Sequence, residues 1–291
     1  MFDGSLVALV TPMGEAGDVD FVALERLIDW HISQGTDGLV IAGTTGESAT
    51  LTREEHLEVI GRAAEYAAGR LPVIAGTGSN STAQTVDLSL AAARHPIDGL
   101  LVVTPYYNKP TQEGLYRHFT AIADAVDSPV MLYNVPGRTA VDLQSETVAR
   151  LAEHPGIFGI KEATGELDRV PALRQLCGDD FALYSGDDAT AREFMLAGGR
   201  GAVSVTANVA PKTMAAMCSA ACGGDADGAA QLDASLAALH EDLFLEANPI
   251  PVKWALERMG QISSGIRLPL TPLADEHRAR LESALRQADA L

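Results

Sequence analysis

The sequence predicts a closed (β/α)8 TIM barrel followed by a C-terminal helical extension. Three observations lead there. Eight short apolar runs of buried-strand type recur between residues 6 and 205, a stretch of helical spacing follows each, and strand signals cease after about residue 224. Alternating strands and helices imply a parallel sheet with right-handed crossovers, and eight such units suffice to close it. The competing fold is an open doubly wound sheet. Its Gly-x-Gly-x-x-Gly turn after the first strand is absent, because Thr11-Pro12-Met13-Gly14 stands there.

Taken in order, the first run, 6–10, ends at Thr11-Pro12, and residues 21–32 repeat apolar positions at helical spacing behind Asp20, a good N-cap. The second, 38–42, leads into Gly43-Thr44-Thr45-Gly46-Glu47-Ser48, and Thr52-Arg53-Glu54-Glu55 is a capping box that opens the next helix. The third, 73–75, precedes Gly76-Thr77-Gly78-Ser79-Asn80 and a helix to about residue 94. The fourth, 99–103, leads through Thr104-Pro105-Tyr106-Tyr107-Asn108 to a helix at 112–126. The fifth, 130–133, leads through Asn134-Val135-Pro136-Gly137-Arg138 to a helix at 144–152. The sixth, 157–161, stops on Lys161; the seventh, 181–184, ends in Ser185-Gly186-Asp187-Asp188; the eighth, 201–205, ends in Thr206-Ala207-Asn208. Helices are then expected at 226–246, 250–259 and 275–290, punctuated by Asn248-Pro249-Ile250-Pro251 and Leu268-Pro269-Leu270-Thr271-Pro272. No composition shift or flexible linker precedes them, so we expect a barrel domain over 1–224 and an extension over 225–291 that packs on it.

Composition sets bounds on function. With 291 residues, 47% of them hydrophobic, the chain can bury a large core. It has no run of about 18 apolar residues, and its start lacks a basic and an apolar signal region, so a cytoplasmic protein without membrane contact is expected. The formal net charge of -18 argues against nucleic acid and anionic membrane, and any anionic substrate must be met by local cations. Cys177, Cys218 and Cys222 read as reduced core residues, and neither they nor the scattered histidines have metal-site spacing.

Lysine usage singles out one residue. Only four lysines (Lys109, Lys161, Lys212, Lys253) stand against seventeen arginines, so arginine supplies positive charge wherever charge alone is needed. Lys161 closes the apolar run of Ile157, Phe158 and Ile160 just before a Thr-Gly-Glu turn. An amine at the end of a buried strand loses hydration, and its neutral form can attack a carbonyl carbon to give an imine, which a guanidinium cannot do. The bland alternative is a strand-end lysine that snorkels to solvent.

In a barrel of this kind the chemistry gathers at the C-terminal ends of the strands. Thr44 and Thr45 follow the second strand, Tyr107 the fourth, Tyr133 ends the fifth with Arg138 in its loop, and Gly186 follows the seventh. That is an amine, a set of hydroxyls able to pass protons and one anchoring guanidinium. Taken singly, Tyr133 reads equally as a barrel-layer aromatic and Gly43-Thr44-Thr45-Gly46 as a helix-capping turn.

Four stretches carry a closer likeness: Gly43-Thr44-Thr45-Gly46-Glu47-Ser48, Thr104-Pro105-Tyr106-Tyr107-Asn108, Leu132-Tyr133-Asn134-Val135-Pro136-Gly137-Arg138-Thr139 and Gly159-Ile160-Lys161-Glu162-Ala163-Thr164-Gly165. They resemble the 4-hydroxy-tetrahydrodipicolinate (dihydrodipicolinate) synthase family, pyruvate-dependent class I aldolases whose wider group also holds N-acetylneuraminate lyase. The resemblance runs from Phe2-Asp3-Gly4-Ser5 through Asn248-Pro249-Ile250-Pro251-Val252-Lys253 to Leu268-Pro269-Leu270-Thr271-Pro272. It implies condensation of pyruvate with L-aspartate 4-semialdehyde in lysine biosynthesis, with no cofactor beyond a covalent Schiff base on Lys161.

By the same resemblance, Tyr133 is the proton donor and acceptor, linked through Thr44 to Tyr107, which enters from a neighbouring subunit of a homotetramer built from tight dimers. Thr44 and Thr45, with the backbone near Val203 and Gly186, hold pyruvate, and Arg138 clamps the semialdehyde carboxylate. A candidate allosteric lysine site comprises Ser48, Ala49, Arg53, His56, Asn80, Gln84 and Tyr106. Lysine-sensitive enterobacterial members have His in place of Arg53 and Glu in place of Gln84, so weak inhibition or none is expected here. Two alternatives stay open. A sister aldolase acting on a sugar acid tends to carry Ser-Thr in place of Thr44-Thr45 and to lack the Tyr106-Tyr107 pair; a non-catalytic pyruvate sensor should have lost part of the relay.

Overall fold

The computed structural model describes residues 2–291 and contains a closed barrel of eight parallel strands. The first half alternates as β1 (Gly4–Ala8), α1 (Phe21–Gln34), β2 (Gly38–Ile41), α2 (Arg53–Ala67), β3 (Val73–Gly76), α3 (Thr82–Ala92), β4 (Gly99–Val103) and α4 (Gln112–Ala125). The second half continues with β5 (Val130–Asn134), α5 (Pro136–Thr139), α6 (Ser145–Ala152), β6 (Ile157–Glu162), α7 (Arg169–Cys177), β7 (Ala182–Ser185), α8 (Ala191–Leu196), β8 (Gly201–Ser204) and α9 (Pro211–Cys222). Each strand pairs with the next in sequence, and β8 pairs back onto β1 through Leu6 and Val203. Three further helices follow: α10 (Ala226–Asp242), α11 (Ile250–Arg258) and α12 (Asp275–Gln287).

Strand pleating divides the apolar side chains between two cores. Leu6, Ala8, Val40, Ile74, Leu101, Met131, Tyr133, Ala182, Tyr184 and Val203 fill the barrel interior. Their alternates, among them Val7, Leu39, Ile41, Leu100, Leu132, Ile160 and Leu183, pack outward with the helices. Because Ile160 faces the helices, Lys161 is turned into the barrel and Glu162 out of it. At the start of β6 the register slips by one residue, Val130 pairing with Ile157 but Met131 with Gly159. Phe158, the residue passed over, stacks edge-on against Phe2 and Tyr184 at the N-terminal end of the barrel.

The capping box opens α2 as expected. Thr52 Oγ1 accepts from the Glu55 amide at 3.2 Å and Glu55 Oε2 from the Thr52 amide at 2.9 Å, an arrangement worth about 1 kcal/mol. Some expectations shift at their edges. The first strand begins two residues earlier than periodicity suggests, since Gly4 and Ser5 are buried in the barrel wall despite their size. The loop after β5 holds the short helix α5, with Pro136 at its first turn. All three cysteines are free, but only Cys218 is a core residue; Cys177 is half-buried, and Cys222, at the last turn of α9, is exposed. Among the described residues, no helix is long and apolar enough to cross a membrane.

Candidate active site

Lys161 and Tyr133 are paired in register at the ends of β6 and β5. Lys161 is 6% exposed, and its Nζ lies 4.2 Å from the centroid of the Tyr133 ring. The next residues, Glu162 and Asn134, are also paired but face outward. There Asn134 Nδ2 donates to Glu162 Oε2 at 3.1 Å and to Asp142 Oδ1 at 2.8 Å, while Arg169 bridges the carboxylates of Glu162 and Asp142. The Thr164 amide donates to Glu162 Oε1 at 2.9 Å. This outer network fixes the two strand ends on which the amine and the phenol are mounted.

Gly186, following β7, passes close to the Lys161 stem. A Cβ there would meet Ala163 Cβ at 2.7 Å, Lys161 Cε at 2.8 Å and Lys161 Cγ at 3.0 Å, so the close approach requires glycine. Val203 is buried on the barrel wall in the same interior cluster as Tyr133. Thr44 and Tyr133 both line a recess of about 30 Å³ with Gly43, Ser48 and Val103. Thr45 Oγ1 accepts from Asn248 Nδ2 at 3.0 Å, and Arg138 Nη2 donates to the Asn248 carbonyl at 3.3 Å. Asn248, which precedes α11, thus links the loops after β2 and β5; its motif is visible in the sequence, its role is not.

A wider groove of about 720 Å³ opens from Thr44, Val135 and Arg138 towards α2 and α3. Ser48, Ala49, Arg53, His56, Gln84 and Tyr106 line it, together with Asp87. Lys161 lines neither cavity, so volume alone would point to Gln84 rather than to the buried amine. Arg53 does not present a free charge to the groove: its Nη2 and Nε donate to Asp87 Oδ2 at 2.7 and 3.0 Å. Gln84 Oε1 accepts from Ser79 Oγ at 3.1 Å, and His56 Nε2 donates to the Gly76 carbonyl at 2.7 Å. Burial holds the His56 imidazole below its usual value. Asn80 is apart from the groove lining, and its carbonyl accepts from Asn108 Nδ2 at 2.8 Å.

Tyr107 is the one predicted relay residue that the chain does not bring inward. Its side chain is 89% exposed and its backbone is left-handed, with φ 73°. A β-strand-forming aromatic held in that region of φ is strained, and such strain concentrates at functional loops.

Sequence reasoning also missed a buried pair behind the Thr44–Thr45 turn. Lys253 of α11, 4% exposed, bonds the carboxylate of Glu47, and the Arg267 amide donates to Glu47 Oε2 at 3.2 Å. Burial pulls Lys253 below its ordinary value against the opposing pull of Glu47. The signal was present in the count of four lysines, but nothing in spacing joins residues 47 and 253.

The chain is similar over its whole length to proteins of known kind. The 4-hydroxy-tetrahydrodipicolinate synthase of Alcanivorax borkumensis is 60% identical over 291 residues, covering 100% of this chain and 99% of that one. The crystal structure of the chloride-inhibited dihydrodipicolinate synthase of Acinetobacter baumannii complexed with pyruvate matches with a TM-score of 0.99 at 54% identity and full coverage of both chains. A monomeric dihydrodipicolinate synthase variant matches with a TM-score of 0.97 at 41% identity, covering 100% of this chain and 98% of that one. The model of the dihydrodipicolinate synthetase family matches residues 1–288, and the chain belongs to that family.

Proposed function

We propose that Lys161 is the nucleophile through which this chain acts as a 4-hydroxy-tetrahydrodipicolinate synthase, a lyase that condenses pyruvate with L-aspartate 4-semialdehyde. The observation that carries the reading is the buried amine at the end of β6 against the Tyr133 ring. The neutral Nζ attacks C2 of pyruvate, and the carbinolamine loses water to give the imine. Loss of a C3 proton makes an enamine, whose C3 attacks the aldehyde carbon of the semialdehyde. The amino group of the second substrate then adds to the imine carbon, closes the ring and expels Lys161.

Tyr133 carries the protons for these steps, relayed through Thr44 to Tyr107 of a neighbouring copy in a homotetramer built from tight dimers. The exposed, strained Tyr107 suits a residue that works outside its own chain. Thr44 and Thr45, with the backbone near Val203 and Gly186, hold the pyruvate end, and Arg138 clamps the semialdehyde carboxylate. No cofactor is needed beyond the covalent link. Residues 1–224 form the catalytic barrel and 225–291 a packed extension of a cytoplasmic enzyme. The groove beside Thr44 takes lysine as a regulatory ligand, weakly, because Gln84 stands where a carboxylate would meet its ammonium group.

Borohydride added with pyruvate, followed by intact mass and peptide mapping, tests the assignment. A reduced adduct on Lys161 is expected in the unmodified enzyme and none in Lys161→Arg, since a guanidinium cannot become a neutral nucleophile. Full trapping in that variant refutes the Schiff-base role. Offering L-aspartate 4-semialdehyde and then sugar-derived aldehydes separates the synthase from a sister aldolase, and turnover with the former is the expected result.

A further inference from the structure

The turn bearing Thr44 and Thr45 is fastened from behind by charged groups that take no part in the chemistry above. Glu47 has a left-handed backbone, φ 55°, and a side chain with no exposed surface. Its amide donates to the Thr44 carbonyl at 3.1 Å, so the position of Thr44 depends on that conformation. The adjoining residues are tied as well. The Gly46 carbonyl accepts from Thr11 Oγ1 at 2.7 Å, and Thr45 Oγ1 accepts from Asn248 Nδ2 at 3.0 Å.

The Glu47 carboxylate is held by Lys253 on one oxygen and by the Arg267 amide on the other. Arg267 is itself fixed by Glu55 on α2, at 2.7 and 2.5 Å, and by the Thr50 carbonyl at 2.9 Å. The segment that binds this loop is thus α11 and the stretch after it, more than 200 residues downstream in the chain. A buried ion pair is a poor source of stability, because desolvation offsets most of its attraction and apolar replacements are often neutral or stabilising. What such a pair does supply is a fixed geometry. A carboxylate held at both oxygens lets a non-glycine residue keep a left-handed backbone that it would otherwise leave.

We infer that Glu47 and Lys253 are positioning residues that hold the Thr44–Thr45 turn in its pyruvate-binding geometry, so that the C-terminal extension sets the affinity of the barrel for pyruvate. This rests on Thr44 and Thr45 being the pyruvate-binding turn. Lys253 is not a second nucleophile: it is buried, committed to Glu47 and absent from the cavities that contain Thr44.

The test uses full-length enzyme and reads thermal midpoint, borohydride trapping at Lys161, and the KM of each substrate. In the double variant Glu47→Gln with Lys253→Met, which removes both charges but keeps side-chain length, the midpoint should stay within a few degrees. Trapping should persist at saturating pyruvate, while the KM for pyruvate rises about ten- to a hundredfold, the reach of a misplacement near 1 Å. The KM for the semialdehyde should change less than about threefold. Lys253→Arg with Glu47 kept, which leaves a cation opposite the carboxylate, should retain most of the pyruvate affinity. A folded double variant with unchanged KM for pyruvate overturns the inference. If the double variant does not fold, Glu47→Asp decides: it keeps both charges, shortens one arm, and should raise the KM for pyruvate at least threefold, with no change overturning the inference. Absence of trapping at Lys161 in the unmodified enzyme overturns the active-site reading as well, whereas trapping with an unmoved KM overturns the positioning role alone.

Discussion

Gly186→Ala is the substitution whose effect on Lys161 can be worked most directly from distances. The added methyl would stand 2.7 Å from Ala163 Cβ and 2.8 Å from Lys161 Cε. Carbon atoms pack at about 3.5–4.0 Å, so roughly 0.7 Å or more of relief is required. Ala163 has no rotamer to yield with, and the Gly186 amide is fixed by the Glu162 carbonyl at 2.7 Å. The lysine stem is the part that moves, carrying Nζ off the face of Tyr133. A displacement approaching 1 Å at a reacting atom costs up to about a hundredfold in rate, whereas overpacking costs about 1–3 kcal/mol of stability. Steady-state kinetics, borohydride trapping rate and thermal midpoint should be measured on one preparation. The expected result is a folded protein with a slightly lowered midpoint and kcat reduced about 30- to 100-fold, imine formation slowing with it. Unchanged trapping and kcat would refute the reasoning that glycine is there to let the lysine stem pass.

Tyr133→Phe should lower turnover by about two orders of magnitude while reduced pyruvate still accumulates on Lys161; full turnover in a stopped assay would remove Tyr133 from proton transfer. Lysine should inhibit the unmodified enzyme weakly or not at all, the missing carboxylate at Gln84 being worth roughly 1 to 3 kcal/mol, or about ten- to a hundredfold in affinity. Because Arg53 is neutralised by Asp87, Gln84→Glu should restore most of the inhibition and Arg53→His add little; half-inhibition of the unmodified enzyme well below a millimolar counts against this. His31 is buried in α1 with Nδ1 on Thr36 at 2.8 Å and Nε2 unpartnered, and burial lowers its pKa from 6.5 to about 3. The unfolded chain therefore takes up the proton first, so this contribution to stability is whole above pH 6.5 and falls as the pH drops towards 3, by about 2 kcal/mol at pH 5. Urea midpoints at pH 7.5 and 5 should differ less in His31→Gln than in the unmodified protein, and an equal difference would exclude His31 as a source.

The barrel was legible because its strands are buried on both faces, which writes each of them as an uninterrupted apolar run. The placing of Lys161 at a strand end was legible for the same reason, since a polar group closing such a run stands out, whereas Tyr133 taken alone read as a barrel-layer aromatic. Gly186 could be placed after the seventh strand but given a role only through resemblance, because a glycine's meaning lies in what approaches it, here the stem of a lysine 25 positions earlier. The Glu47–Lys253 pair and the Asn248 link were not legible at all. They join the second barrel loop to the last quarter of the chain, and no local periodicity encodes a contact that only closure of the barrel and docking of α11 create. Arg53 shows the opposite failure: read alone it is a positive charge in a groove, and its partner Asp87 lies on another helix.

The slipped register at Phe158 decides which of two neighbouring residues faces the barrel interior. A strand alternates its side chains with period two, so a change of one residue in the regular pairing below Lys161 exchanges the inside and the outside of everything above it. Without the slip, with Met131 paired to Phe158 and every later residue of β6 one step further along β5, the carboxylate of Glu162 would point into the barrel and the amine of Lys161 into the network around Arg169. That network would then lose its central acid and gain a cation beside an arginine, while two anionic substrates would meet a carboxylate. Phe158 is the extra residue that the slip absorbs, so losing it together with the slip would leave Lys161 paired with Tyr133, whereas losing a residue between the slip and Lys161 would turn the amine outward. Tolerance to insertion begins only past Glu162, where the chain has left the pleat and a residue added to the turn before α7 no longer changes which way the lysine points.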